Sequence, residues 1–143
     1  MTRYLLDTNI ISEVIKPRPS PDLLAWMAAQ EDADLFIATL TLAEIRRGIL
    51  RKPAGRRRRE LEDWYRGEAG PLALFDGRTL AFDSRAAEAW AELMAEGEAE
   101  GAPRSPLDMI IAAVAQANGC TLVSGNERHF RGVVELLNPM ERA

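Results

Sequence analysis

Short apolar runs separated by helical patterns constrain this chain more than any other feature of its sequence. RYLL (residues 3–6), LFIA (35–38) and CTLVSG (120–125) are each about one strand long and show no inside–outside alternation. Unbroken apolar runs of that length are what strands covered on both faces look like. Between them the period changes. TNIISEVI (8–15) is helical, with Ile10, Ile11, Val14 and Ile15 on one side, until prolines 17, 19 and 21 forbid continuation. Ser20 caps a helix that opens on Pro21 and carries Leu23, Leu24, Trp26 and Met27.

Residues 40–50 form a helix with Leu42, Ile45 and Ile49 on its buried stripe, and the arginine-rich stretch 53–70 is helical around Leu61, Trp64 and Tyr65. PLALFD (71–76) reads as a further strand. A long alanine-rich helix follows from Asp83, then a helix from Leu107 closed by Gly119, a helical turn NERHF (126–130) and a last strand in VVELLNP (133–139). Strands alternating with helices give an α/β fold with a central parallel sheet and helices on both faces. With no repeat and no linker, residues 1–143 read as one domain, and 47% hydrophobic residues suffice for its core.

Three acids interrupt these apolar segments: Asp7, Glu44 and Asp108. Each has an ordinary explanation in helix capping. Asp7 precedes the first helix, Thr41-Leu-Ala-Glu44 has the spacing of a capping box, and Ser105-Pro106-Leu107-Asp108 puts a cap, a first-position proline and an acid in order. Together they ask for more. In an open parallel sheet the helices start at the carboxyl ends of strands, and ligands bind in that crevice. Asp7 follows the first strand, Glu44 the second apolar run, and Asp108 opens the helix before the last strands, so the three converge on one edge. Converging carboxylates repel unless a positive charge sits among them. A hard divalent cation such as Mg²⁺ is that charge: it takes one or two carboxylates, keeps waters and leaves room for phosphate oxygens. Such a site activates water against a phosphodiester.

The series LLDTNIISEV, TLAEIRRGI, LDMIIAAVA and VSGNERHF resembles the PIN-domain nucleases over essentially the whole chain, and most nearly the VapC and FitB-like toxins of type II toxin–antitoxin pairs. Asp7, Glu44 and Asp108 match the family's first three acids. Where the family often has a fourth acid this chain has Asn126, which can orient a water but brings no charge, so one metal or two stays open. The resemblance implies a Mg²⁺- or Mn²⁺-dependent endoribonuclease. Asp7, Glu44 and Asp108 would hold the metal, Asn126 would assist, and metal-activated water would hydrolyse RNA. It also implies a small antitoxin as partner, and a homodimer or a toxin–antitoxin hetero-oligomer. The alternative is a weak or inactive PIN-like module that binds RNA or protein.

Thr8, Asn9 and Ser12 follow Asp7 closely enough to fix it by hydrogen bonds, and Ser124 either reaches into the site or merely ends a strand. His129, the one histidine, reads as structural or exposed, since this chemistry needs no imidazole. A net charge of −4 argues against nucleic-acid binding by bulk charge, yet eight bases fall within residues 46–59. That cluster is a solvated helix face, an RNA-phosphate contact or an antitoxin-facing surface. Arg46 and Arg47, two and three residues beyond Glu44, stand nearest the site. Other chemistries that begin with an acid after the first strand lack what they need. A haloacid dehalogenase phosphatase wants a second Asp where Asn9 stands, and a response-regulator receiver wants an acidic pair and a late lysine, whereas the lysines are Lys16 and Lys52. The single cysteine, Cys120, no apolar run long enough to span a bilayer, and an opening MTRYLLDT without a signal-peptide layout point to a soluble cytoplasmic protein without membrane contact.

Overall fold

The computed structural model describes residues 2–140; Met1 and residues 141–143, included in the domain read from sequence, lie outside the described residues. Five strands form one sheet in the order β3-β2-β1-β4-β5, and every pairing is parallel. They are β1 (Arg3–Leu6), β2 (Leu35–Ala38), β3 (Thr79–Leu80), β4 (Cys120–Val123) and β5 (Leu136–Leu137). Helices α1 (Thr8–Val14), α2 (Pro21–Ala28), α3 (Thr39–Leu50), α4 (Arg56–Arg66) and α5 (Pro71–Leu74) precede β3; α6 (Ser84–Ala99) and α7 (Pro106–Ala117) precede β4, and α8 (Glu127–Phe130) follows it.

Alternate residues of each strand point to opposite faces, and each face has its own core. Leu5, Phe36 and Leu122 pack with α6 and α7, through residues such as Leu93, Met109, Ala112 and Ala113. Leu6, Leu35, Ile37 and Val123 pack on the other side with Ile10, Ile45, Leu61 and Tyr65. Both faces of the sheet are therefore dry, which is why its strands read as continuous apolar runs.

The sequence readings of α1, α2, α6, α7, β1, β2, β4 and β5 hold. Ser20 Oγ accepts from Leu23 N at 3.2 Å, as its cap role requires, and Gly119 closes α7 at φ +64°. Two readings fail. PLALFD is no strand: Pro71 opens a short helix after Gly70, and the strand lies beyond it at Thr79–Leu80, beside β2. A proline at a helix's first position loses nothing, whereas in a ladder it removes a donor. Second, α3 starts at Thr39, so Thr41 is its third residue and no capping box forms with Glu44.

The order of the strands decides where a ligand can go. The chain runs outward from β1 to β2 and β3, then returns to the other side of β1 for β4 and β5. Adjacent strands at such a reversal send their following segments to opposite faces and open a crevice between them. Here the crevice lies past Leu6 and Val123, which are paired in register. Asp7 and Ser124 are the next residues.

Candidate active site

Asp7 is built into the end of the sheet. Its backbone N donates to Val123 O at 2.8 Å, which carries the β1–β4 ladder one residue beyond the strands. Its side chain is 6% exposed and accepts three hydrogen bonds. Thr8 N reaches Oδ1 at 2.8 Å, while Asn9 Nδ2 and Ser124 Oγ reach Oδ2 at 2.9 and 2.8 Å. Asp7 is thus the helix cap the plainer reading expected, and it also turns a carboxylate toward the crevice. Burial raises its pKa; the hydrogen bonds from Ser124 and Thr8 oppose that rise, and the charges of Glu44 and Asp108 add to it. Asp7 thus feels both of the other acids.

Ser124 and Asn9 fasten the two strand ends together. Ser124 is fully buried; its hydroxyl donates to Asp7 and accepts from Asn126 N at 2.9 Å and Asn9 Nδ2 at 3.2 Å. That uses every hydrogen-bonding site of a hydroxyl. Asn9 Oδ1 in turn accepts from Gly125 N at 2.9 Å. Thr8 acts differently from the sequence expectation: its hydroxyl donates to Glu44 Oε1 at 2.6 Å and lies 3.3 Å from Thr41 Oγ1. It therefore ties Glu44, not Asp7, while its backbone serves Asp7. Ser12 is exposed on the wall of the crevice, and Asp7's three donors come from Thr8, Asn9 and Ser124 instead.

Asp108 sits in the first turn of α7, where Ser105 Oγ accepts from its backbone N at 3.3 Å. Its carboxylate leaves the helix end and meets His129, with Nδ1 2.7 Å from Oδ2. The imidazole is half exposed, so the sequence reading was right about exposure but missed its partner. Asn126 precedes α8, its backbone held by Ser124 and its side chain exposed.

Asp7, Glu44, Asp108 and Asn126 all line one open groove of about 530 Å³, together with Thr8, Asn9 and Ser12. Glu13 and Lys16 line it too, and sequence reasoning missed them. The signal was present: 9, 12, 13 and 16 follow the i, i+3, i+4, i+7 spacing of one helix face. Arg46 and Arg47 are not in this groove. Arg46 Nη1 is 2.6 Å from Glu62 Oε1 and joins α3 to α4, while Arg47 is exposed elsewhere on α3.

Among the described residues no three acids, histidines or cysteines stand together closely enough to hold a metal ion by themselves. The donor set still fits a hard cation. Asp7, Glu44 and Asp108, each held by a hydrogen-bond or ion-pair partner, line one open groove, and a hard cation of the Mg²⁺ type needs only one or two such carboxylates because water fills its other positions.

The PIN domain family model matches residues 4–136. The chain is 36% identical to VapC ribonuclease Y4jK of Sinorhizobium fredii, across 97% of this chain and 99% of the relative. It is 32% identical to toxin FitB of Neisseria gonorrhoeae, across 94% and 96%. Among solved structures, that of FitAB bound to an IR36 DNA fragment superposes with a TM-score of 0.88 at 30% identity, covering 98% of this chain and 97% of that one.

Proposed function

The chain belongs to the PIN-domain family, and from that premise we propose that it is a metal-dependent endoribonuclease, the toxin of a toxin–antitoxin pair. The observation that carries the reading is the meeting of Asp7, Glu44 and Asp108 on one groove at the switch point of the sheet. Ribonuclease and toxin are what the similar proteins are named. A bound Mg²⁺ or Mn²⁺ would acidify water and neutralise charge growing on a phosphodiester. The chain's own part is positional. Asp7, gripped by three donors, offers the remaining lone pair of Oδ1 in a fixed direction. Glu44, held by the Thr8 hydroxyl, faces it from α3, and Asp108, held by His129, faces it from α7. Asn126 contributes an uncharged carbonyl at the rim, suited to orienting a water. The openness of the groove admits a polymer.

The partner belongs to the same reading: a small antitoxin would bind the chain and block this groove, and the similar FitB protein is named a toxin. Dimerisation, and RNA as the substrate, belong to this reading. The proposal takes the cytoplasm as the place of work, where the lone buried thiol of Cys120 would stay reduced; none of the described helices is long and apolar enough to cross a membrane.

The test uses structured RNA with Mg²⁺, Mn²⁺ or chelator, and an Asp7→Asn variant purified in parallel. Metal-dependent cleavage by the native chain, absent from Asp7→Asn, is the expected result. Equal cleavage by both would identify a contaminating ribonuclease. Binding of RNA without cleavage under any metal would leave only the inactive binding module.

A further inference from the structure

We propose that α8 is a phosphate-binding ridge, on which Arg128 and Arg131 hold the RNA backbone beside the phosphodiester to be cut. This rests on the ribonuclease reading and adds the direction in which the substrate leaves the acids. Of the three grooves that adjoin the acidic one, the one shared at Thr8, Ser12 and Glu44 is walled mainly by apolar side chains such as Ile45, Ile49 and Leu61, and two lead past α8. Of these two, the first, about 430 Å³, meets the acidic groove at Asp108; the second, about 290 Å³, meets it at Gly125 and Asn126. Both are lined by the same three side chains, Arg128, His129 and Arg131. An RNA strand leaving the acids on this side must pass α8 by either route.

The state of the cations selects these two. Near the acids, Lys16 is bound to Glu13 at 2.9 Å and the imidazole of His129 is occupied by Asp108. Arg104 gives Nη1 to Leu93 O at 2.7 Å and lies within 4 Å of both Glu96 and Glu100. Farther off, Arg46 is paired with Glu62, and Arg56 and Arg57 with Glu60. Arg128 makes no hydrogen bond or ion pair among the described residues, and Arg131 has only a 3.9 Å approach to Glu127 with its side chain 73% exposed. On a chain of net charge −4, an RNA strand needs local cations that are not already engaged. Lys52 is also unpaired among the described residues but lines the apolar groove, so Arg128 and the weakly paired Arg131 are the least engaged cations on the two grooves past α8.

The same walls say how RNA is read there. No Phe, Tyr or Trp lines the acidic groove or the two grooves past α8. Stacking platforms are what give single-stranded sites their base contacts, so α8 grips the backbone and is indifferent to sequence.

The experiment measures binding of three fluorescent single-stranded RNAs of unrelated sequence, in chelator so that none is cleaved, across a salt series. The native chain is compared with Arg128→Ala/Arg131→Ala and with Arg56→Ala/Arg57→Ala, which removes equal charge from α4. Each phosphate contact in single strands adds about 0.7 to the log–log salt slope. The α8 variant should therefore flatten the slope by about 1.4 and weaken binding roughly 25-fold at 0.1 M salt, equally for all three RNAs. The α4 variant should match the native chain, and urea unfolding should be the same for all. An unchanged slope in the α8 variant, an equal loss in the α4 variant, or a loss confined to one RNA each overturns the ridge while leaving the ribonuclease reading intact. Loss of antitoxin binding with RNA binding kept would assign the ridge to the antitoxin and overturn the proposal. A native chain that neither binds nor cuts RNA overturns the underlying reading itself, and the ridge with it.

Discussion

At the scale of single residues the site hangs on Ser124. Its hydroxyl satisfies Asp7 Oδ2, the backbone N of Asn126 and the amide of Asn9 at once, in a position with no solvent access. Ser124→Ala removes that oxygen: Asp7 Oδ2 and Asn9 Nδ2 keep each other, while the backbone N of Asn126 loses its partner. Each unsatisfied group costs about 1–3 kcal/mol, so the variant should unfold at lower urea by an amount in that range, with an unchanged denaturant slope. Cleavage should fall as well, because Asp7 loses one of its three anchors. A variant as stable as the native chain would show that water replaces the hydroxyl. None of this was readable in the sequence, where Ser124 reaching into the site and Ser124 merely ending a strand stood equal. Only the pairing of Leu6 with Val123 puts Ser124 beside Asp7. His129 was underread for a similar reason. Nothing in NERHF reveals that α8 turns its imidazole onto a carboxylate 21 residues earlier in the chain.

At the scale of elements, α1 carries a pH-sensitive tie. Glu13 accepts from Lys16 Nζ and Ser20 N, both at 2.9 Å, and so spans the proline-rich turn between α1 and α2. The bond from Lys16, then that from Ser20, hold its pKa below the usual carboxylate range. A depressed folded pKa means stability present above the ordinary glutamate pKa and lost as pH falls through the lowered one. Thermal unfolding should show Glu13→Gln less stable than the native chain at neutral pH and equal to it once acid has protonated Glu13. A difference that persisted in acid would mean that the turn is held by shape alone. The α4–α5 junction gives a second test. A Cβ on Gly70 would lie 1.9 Å from Trp64 O and 2.7 Å from Tyr65 O, so backbone must move. Gly48, in mid-α3, has nothing within 4 Å of such a Cβ. Gly70→Ala should cost about 1–3 kcal/mol in urea unfolding, while Gly48→Ala should gain roughly 0.5–1 kcal/mol. This close turn is also where the sequence reading failed. PLALFD is apolar enough for a strand, and only the Gly-Pro start, a helix signal, speaks against it. The long periodic helices α6 and α7 and the buried strands β1, β2 and β4 were legible because burial on one stripe or on both faces writes itself into spacing. Two-residue β3 writes nothing.

At the scale of the whole molecule, the topology forces a conflict that a cation would resolve. The reversal of strand order puts Asp7 at the sheet end, where burial disfavours its charge, and turns Glu44 and Asp108 toward it. The fold therefore carries like charges in one groove, at a cost to Asp7 that hydrogen bonds from Ser124 and Thr8 only partly offset. A cation that binds the folded chain and not the unfolded one adds RT ln(1 + [L]/Kd), about 2.7 kcal/mol at a hundredfold excess over Kd. Mg²⁺ or Mn²⁺ should accordingly raise the melting temperature of the native chain, chelator should reverse the rise, and NaCl of equal ionic strength should not reproduce it. Asp7→Asn should lose most of the shift, because the anchored member of the set is gone. Arg128→Ala/Arg131→Ala should keep all of it, because α8 meets RNA and not the ion. Equal shifts in the native chain and in Asp7→Asn would instead mean that the ions act on the acidic surface at large. Asp7 and Asp108 would then remain ordinary helix-start residues, and Glu44 a side chain of α3 tied to Thr8.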